Sequence, residues 1–225
     1  MRTTWKADLA VLVTSLERIA LVVLVAVTLP SATSLLHAQT AEEAQRLFAV
    51  LGLKPGMTVG EIGAGRGEMT VEMAKRLGQN GHVYSTEIDA SRLADVREAV
   101  SREQLVNVTV IEAGDRATNL PDACCDAVFL RDVYHHLTNP DEIGRSLFAA
   151  LKPGGRLAVI DFEPRPGTSA PEGAPTNRGG HGVRPDTIVE EITAAGFSLA
   201  DTIPVWLDDT QRNRRMFLTL FTKPR

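Results

Sequence analysis

The 225-residue chain is poor in the residues on which several classes of protein depend. Its two cysteines, Cys124 and Cys125, are neighbours, and neighbours rarely pair, so we predict no disulfide framework and interpret both as small residues at a strand entrance. Aromatic residues make up only 5%, the net charge is −4 and no basic run is present, so the composition disfavours nucleic-acid binding. The 5 histidines are scattered without the spacing of metal ligands, so the sequence predicts no metal site.

An apolar run long enough to span a membrane is also missing. The candidate, Ile19–Leu29, follows two basic residues and is shorter than the roughly twenty residues that a spanning helix needs. Extending it towards the N-terminus includes Glu17 and Arg18, and each charge costs roughly 2.5–3.5 kcal/mol at a bilayer centre. Small residues follow the run, so residues 1–38 are interpreted as a signal peptide or a short membrane anchor.

From Thr40 onwards, predicted helices and strands alternate. A capping pattern at Thr40 predicts the start of a first helix, which Gly52 and Pro55 end. The alternation that follows is typical of a parallel sheet with helices on both faces, whose ligands bind at the carboxyl edge of the strands. The predicted strands are 57–62, 82–88, 107–112, 125–131, 156–162, 197–206 and 214–222, and the predicted helices are 67–77, 90–103, 140–150 and 186–195.

The most informative segment is the loop after the first of these strands. Its three glycines, which let the backbone approach a ligand closely, are Gly63, Gly65 and Gly67. A dinucleotide fingerprint would need glycine or alanine at the position of Glu68, which is large and charged, so a nicotinamide oxidoreductase is disfavoured. An acid, Glu61, lies just before the loop.

Four further motifs follow in order. They are the strand 83–89 with an acid at Glu87, the segment 108–115 ending in Asp115, the segment 126–137 ending in His-His-Leu, and the turn 151–157 with Lys-Pro-Gly-Gly. Together with the glycine loop, these motifs resemble those of the class I S-adenosylmethionine-dependent methyltransferases. The resemblance extends from Thr40 to the C-terminus.

The resemblance implies an α/β fold in one domain over residues 39–225. The expected sheet is Rossmann-like and seven-stranded, mostly parallel with an antiparallel C-terminal strand, and carries helices on both faces. The implied activity is transfer of a methyl group from S-adenosylmethionine to an acceptor, and we expect a small molecule because no large insertion is present. The alternatives are a protein carboxyl methyltransferase and a non-catalytic S-adenosylmethionine-binding protein.

The family's motifs, carried onto this sequence, predict where the donor binds. Glu87 would accept hydrogen bonds from the ribose hydroxyls, Asp115 would hold the adenine amino group, and Glu61 would face the donor's amino group. Asp89 is instead expected to cap the next helix. The full set of predicted cofactor-binding residues is Glu61, Gly63, Ala64, Gly65, Gly67, Glu87, Ile88, Asp115, Arg116 and Arg131.

His135 and His136 are the catalytic candidates. The resemblance implies acceptor-facing residues in this segment, and a histidine near neutral pH can take a proton from an acceptor. Neighbours in a helical turn diverge by about 100°, so we expect only one of them to face the cavity, and the sequence does not decide which. His181 is a weaker candidate, and Asp132 is expected either to contact the donor or to cap the turn.

Residues 163–183 are rich in proline and glycine and follow the fifth strand. Loops of this length are usually functional, so we expect a lid over the acceptor, with an inert surface excursion as the alternative. The N-terminal segment predicts an exported or membrane-associated protein, whereas the resemblance implies a donor that is made inside cells. The alternative is a cytoplasmic protein with a misassigned start site.

Overall fold

The computed structural model describes residues 32–209 and 214–225. Seven strands form one sheet in the order β3-β2-β1-β4-β5-β7-β6. The strands are β1 Thr58–Ile62, β2 His82–Glu87, β3 Val108–Glu112, β4 Cys125–Arg131, β5 Leu151–Phe162, β6 Ser198–Asp209 and β7 Arg214–Thr222. The helices are α1 Ala32–Val50, α2 Glu68–Leu77, α3 Ala90–Arg102, α4 Pro140–Ala150 and α5 Pro185–Ala194, with 3₁₀ turns η1 Tyr134–His136 and η2 Thr176–Arg178.

The strand directions confirm the predicted sheet. Strands β1 to β5 pair in parallel, while β7 lies antiparallel between β5 and β6. The carboxyl ends of five parallel strands therefore meet at one edge, which we call the ligand edge.

Both faces of the sheet are covered, as the residues of β4 show. Ala127 and Phe129 pack into one apolar cluster with α1 and α2, whereas Val128 and Leu130 pack into a second cluster with α4 and α5. Successive side chains of a strand point to opposite faces, so this alternation places a core on each side. Parallel strands buried on both faces read as continuous apolar runs, as this one does.

Two predicted boundaries are wrong. Helix α1 begins at Ala32 rather than Thr40, because the preceding alanine, leucine and glutamine residues also favour a helix. Strand β5 begins at Leu151 rather than residue 156, and the predicted turn lies within the strand. The pairing of β4 with β5 shifts register between Cys125 and Ala127, so the extra residues are taken up as an irregularity of the ladder.

The expectation for the cysteines is also corrected, because Cys124 and Cys125 are bonded to each other. The bond lies where the chain enters β4, next to Ala123, which has a positive φ of 47°. Spacing along the sequence does not reveal a turn that brings two adjacent sulfur atoms together. Because the bond joins immediate neighbours, it does not link distant parts of the chain.

The predicted signal peptide or anchor lies mostly outside the part of the chain that the structure describes, since residues 1–31 are not included. Within the described ranges, no helix combines the length and apolar character that a membrane crossing requires.

Candidate active site

The glycine loop folds under the end of β2 and leaves one stretch of backbone open. The amides of Gly63 and Ala64 both donate to the Thr86 carbonyl at 2.9 Å. Gly63 has φ 73°, and a Cβ there would lie 2.3 Å from Val133 Cγ2, so only glycine fits against the segment after β4. Gly65 has φ 60°, and a Cβ there would meet nothing within 4 Å, so its backbone faces open space.

Gly67 forms the junction between the loop and α2. It is the N-cap of α2 with φ 82°, and its Cα packs against α3, where an added Cβ would lie 3.2 Å from the Val96 Cα. This close packing fixes the direction of α2 beneath the loop.

Glu87, at the end of β2, holds its carboxylate at the ligand edge through backbone amides. Its Oε2 accepts from Gly65 N at 2.8 Å, and its Oε1 accepts from Ile88 N at 2.8 Å and Asp89 N at 3.2 Å. A carboxylate has about four acceptor positions, so acceptor capacity remains for an incoming hydroxyl. Asp89 caps α3 by accepting from Ser91 N and Arg92 N, which confirms that prediction.

A cavity of about 170 Å³ opens at the ligand edge, and we call it the edge cavity. Five predicted site residues line it: Gly63, Glu87, Ile88, Asp115 and His136. Its other lining residues are Ile62, Ala113, Gly114, Thr118, Val133, Leu137, Thr138 and Ile143. Loops after four different strands therefore converge on one largely apolar space. A larger groove of about 440 Å³ is lined by residues of α1, α2 and α3 and by Arg66 of the glycine loop.

Glu61 lies beneath the glycine loop and is almost completely buried. The Thr70 hydroxyl donates to its carboxylate and is itself 2.9 Å from the Ser85 hydroxyl. Burial raises the pKa of Glu61 to about 8, despite the opposing hydrogen bond from Thr70 and the charge of Arg131. The structure therefore places Glu61 behind the cavity wall rather than in the lining.

The two predicted arginines lie outside the edge cavity. Arg116 is exposed and pairs with Glu142 at 2.9 Å. Arg131 forms two bonds to Glu43 of α1, at 2.8 and 2.9 Å, and the Trp206 indole donates to the same carboxylate at 3.0 Å. Arg131 thus joins the end of β4 to α1 and β6.

A sharp turn after β4 carries the chain across the ligand edge. Asp132 has φ 60°, a conformation that aspartate tolerates better than most residues, and its amide donates to Ile160 O at 2.8 Å. Its carboxylate accepts from both terminal nitrogens of Arg214, at 2.7 and 2.9 Å. The structure thus pairs Asp132 with Arg214 of β7, a partner that the sequence did not predict.

The two adjacent histidines have different surroundings. His135 is buried, and its Nδ1 lies 2.9 Å from Oδ1 of Asp161, whose other oxygen accepts from the His135 amide at 3.1 Å. His136 lines the edge cavity, so the prediction that only one of the pair faces it is confirmed. The fully buried Asp161 was not predicted; an acid within the apolar run of β5 is the signal that marks it.

His136 and His181 favour the neutral state of the ring. Partial burial, followed by the nearby charge of His135, lowers the pKa of both rings. The ring centroids of His135 lie 4.1 Å from His136 and 4.9 Å from His181. Three of the five histidines therefore meet beside the edge cavity, although they come from two distant segments.

The loop 163–183 is fixed to the body of the protein at Arg178. This side chain is completely buried and donates to both carboxylate oxygens of Glu191 in α5, at 2.8 and 3.1 Å. The Tyr134 hydroxyl donates to the same carboxylate at 2.9 Å, next to the two catalytic candidates. Sequence inspection did not single out Arg178, because an arginine in a polar loop is normally exposed.

The comparisons with known proteins agree with this arrangement. A sequence model for the methyltransferase domain family matches residues 60–159. The ubiquinone/menaquinone biosynthesis C-methyltransferase UbiE of Vibrio vulnificus is 33% identical over 112 residues, which is 49% of this chain and 43% of that protein. UbiE of Escherichia coli O1:K1 is 31% identical over 112 residues and is covered to 45%. These matches span less than half of each relative.

Solved structures share the fold over most of the chain. An S-adenosylmethionine-dependent methyltransferase from Aquifex aeolicus has a TM-score of 0.65 at 23% identity, covering 83% of this chain and 97% of that one. Phosphoethanolamine N-methyltransferase 2 from Haemonchus contortus, solved with S-adenosyl-L-methionine, has a TM-score of 0.64 at 17% identity, covering 82% and 52%. The sheet order, the glycine loop and these similarities show that the chain has the fold of the class I S-adenosylmethionine-dependent methyltransferases, with residues 60–159 matching the methyltransferase domain family.

Proposed function

We propose that this chain transfers a methyl group from S-adenosylmethionine to a small-molecule acceptor. The observation that carries the proposal is the edge cavity, which brings together Glu87 at the end of β2, Asp115 after β3 and His136 after β4. We call Gly63, Gly65, Glu87 and Asp115 the donor side, and His135, His136, His181 and the loop 163–183 the acceptor side.

The donor side fits an adenosyl group by its chemistry. Glu87 has acceptor capacity for the ribose, and Ile88, which is 58% exposed, offers an apolar surface to a flat heterocycle at the cavity rim. Sites that enclose a whole small ligand measure roughly 300–1,000 Å³. The 170 Å³ cavity would therefore hold the adenosine part of the donor, while the methionine part would extend along the open backbone of Gly65.

Methyl transfer from a sulfonium is a direct displacement, so the protein needs no covalent intermediate. The carbon–sulfur bond breaks as the acceptor bonds to the methyl carbon, and the donor leaves as neutral S-adenosylhomocysteine. Holding the reacting atoms in line can contribute roughly 7–11 kcal/mol to the lowering of the barrier. The apolar walls of the edge cavity keep water from competing with the acceptor.

His136 would take the proton that the acceptor loses. It lines the cavity, and its lowered pKa keeps the ring neutral at pH 7, so a nitrogen lone pair can accept the proton. His135 is held by Asp161 and lies behind His136, so it would orient its neighbour rather than touch the acceptor. The UbiE relatives are named as C-methyltransferases of ubiquinone and menaquinone biosynthesis, which favours a carbon atom as the methylated position.

The alternatives differ from the proposal in what they would bind and convert. A protein carboxyl methyltransferase would methylate acidic side chains of added proteins. A non-catalytic binding protein would hold the donor without releasing S-adenosylhomocysteine. Calorimetry with the donor, followed by product detection on panels of hydroxylated aromatic compounds and of proteins, separates these three functions.

Variants of two histidines test the role of His136. His136→Ala should keep its affinity for the donor but lose roughly 10²–10⁴-fold in methyl transfer, the usual contribution of a positioned base. The matched control is His82→Ala, because His82 lies on β2 and contacts Thr109 instead of the cavity. Equal turnover of the two variants would exclude His136 as the base.

The location of the protein stays a prediction. The N-terminal sequence pattern supports export or membrane attachment, with a cytoplasmic protein as the alternative. Sequencing the N-terminus of the mature protein from fractionated cells would decide between cleavage, anchoring and a misassigned start.

A further inference from the structure

We propose that His135, His136 and His181 together bind one divalent transition-metal ion, such as Zn²⁺, beside the edge cavity. One ring nitrogen from each of these residues lies within 4.8 Å of the others. Neutral imidazole is the commonest protein ligand for zinc and its neighbours in the first transition row. The two halves of the set come from η1 and from the loop 163–183.

His135 has the hydrogen-bonding arrangement of a metal ligand. Its Nδ1 lies 2.9 and 3.1 Å from the two carboxylate oxygens of Asp161, which leaves Nε2 as the free nitrogen. A metal-bound histidine almost always donates its other N–H to a carboxylate, a carbonyl or water, which fixes the ring and raises its basicity. Asp161 is completely buried and also accepts from two backbone amides, so the ring of His135 is rigidly held.

His181 is held in position by the two glycines on either side of it. Gly180 and Gly182 have φ 148° and 130°, and a Cβ at either position would lie within 3.0 Å of backbone oxygens of residues 162–165. The chain can therefore press closely against the end of β5 only with glycine at both positions. The His181 amide donates to Thr168 Oγ1 at 2.9 Å, and its carbonyl accepts from Arg165 N. These contacts direct His181 towards the other two histidines.

A second group of potential ligands nearby, Asp132 with His135 and Asp161, fits less well. The carboxylate of Asp132 is already bonded to both terminal nitrogens of Arg214. Asp161 and His135 are bonded to each other through Oδ1 and Nδ1, the atoms that would have to bind the ion in this group. Asp132 and Asp161 instead supply negative charge beside His136. Arg165 and Arg214 supply positive charge beside His181.

Binding of a metal ion by the three histidines requires small movements of their side chains. At zinc–nitrogen distances of about 2.0–2.1 Å, tetrahedral ligand nitrogens lie roughly 3.4 Å apart, so the rings must close by about 1 Å. His136 is exposed and His181 belongs to a loop, so both rings can rotate while His135 stays fixed. Three protein ligands leave a position for water or an acceptor oxygen. That use of the open position rests on the proposed function and would replace the role of His136 as base, because a metal-bound imidazole has no lone pair left for a proton. Binding of the ion itself does not rest on the proposed function.

Cobalt titration of the full chain, prepared without a polyhistidine tag and stripped with a chelator, tests the site directly. We expect one Co²⁺ per chain, with the visible absorption of a nitrogen-coordinated ion, and displacement of that ion by Zn²⁺. His181→Ala should weaken binding by more than the roughly 10–100-fold that loss of an outer hydrogen-bond partner costs. Asp161→Asn, which keeps the side-chain size, should weaken it by roughly 10–100-fold.

Two further variants make the result unambiguous. His82→Ala removes a histidine remote from the cluster and should bind Co²⁺ like the unmodified chain. Glu87→Ala should bind Co²⁺ normally while losing the donor, so failure of the metal proposal and failure of the proposed function can be told apart. The proposal is overturned if the unmodified chain binds no stoichiometric ion, or if His181→Ala and His82→Ala bind Co²⁺ equally.

Discussion

The donor side and the acceptor side of the edge cavity differ in how far along the chain their contacts reach. Glu87 is held by the amides of Ile88 and Asp89, its immediate neighbours, and by the amide of Gly65, 22 positions away. On the acceptor side, His135 depends on Asp161, 26 positions away, and Tyr134 donates to Glu191 of α5, 57 positions away. A site for a common cofactor can be encoded in short motifs, whereas the acceptor site is assembled by tertiary packing.

The largest expected effect tests the donor side. Glu87→Ala removes the acceptor of two ribose hydrogen bonds, each worth roughly 1.5–3 kcal/mol to a charged group. Donor affinity measured by calorimetry should therefore fall roughly 10²–10⁴-fold. The matched control is Glu112→Ala, because Glu112 pairs with Glu87 in the next strand but is exposed. Equal donor affinity for the two variants would contradict the assignment of the ribose to Glu87.

The next effect tests the acceptor side. Arg178→Met leaves Glu191 and Tyr134 without their buried cation, and breaking a buried ion pair costs roughly 3–5 kcal/mol. Arg184→Met is the control, because its pair with Asp186 is exposed and should contribute less than about 1 kcal/mol. Urea unfolding measures both free energies. If the two variants are equally stable, Arg178 does not anchor the loop.

Two glycine variants distinguish the effect of packing on stability from the effect of open space on donor binding. Gly63→Ala must displace Val133 and should reduce the free energy of unfolding by roughly 1–3 kcal/mol beyond the strain of its positive φ. Gly65→Ala has room for the methyl group, so it should carry only the strain of roughly 1–2 kcal/mol. Gly65→Ala should nevertheless bind the donor more weakly, because the added methyl group occupies space that the donor needs. That loss of affinity would come without the packing defect expected for Gly63→Ala. A Gly65→Ala variant with full donor affinity would show that the donor does not cross this backbone.

The last comparison concerns the pH dependence of Glu61, whose effect is small when it is measured over a single pH unit. The unfolded chain releases this proton near pH 4.5, but the folded protein keeps it to about pH 8, so stability falls as pH rises between these values. The loss is about 1.4 kcal/mol per pH unit. Glu61→Gln cannot titrate, so its unfolding free energy relative to the unmodified chain should increase with pH at that slope. Glu98→Gln is the control, because Glu98 is exposed and is not among the charges that act on Glu61. Parallel pH profiles for all three proteins would refute burial of a neutral Glu61.

The sequence predicted the donor side and most of the sheet because both depend on local patterns. Glycine spacing and apolar runs located β1 to β4 to within a residue or two. The family resemblance pointed to Glu87 and Asp115, and both line the edge cavity. The start of β5 was wrong because a register shift, which depends on the neighbouring strand, absorbed the expected turn.

The acceptor side could not be predicted in the same way. Nothing near His135 in the sequence indicates that Asp161 binds it, and nothing near Arg178 indicates that Glu191 and Tyr134 remove it from water. Arg131 shows the converse, since a position that resembles a ligand residue is bonded instead to α1. The partners of these side chains depend on which distant segments the fold brings together. A local sequence pattern carries little information about that.

The contact of Glu43 with both Arg131 and Trp206 joins α1 to the end of β4, just before the segment that carries the two catalytic candidates. A shift of α1 along the sheet would separate a buried carboxylate from its cation, at a cost of roughly 3–5 kcal/mol. Tension applied at Ala32 would therefore reach the last residue of β4, one position before the turn at Asp132. A membrane attachment N-terminal to α1 would in this way restrain the segment that carries His135 and His136.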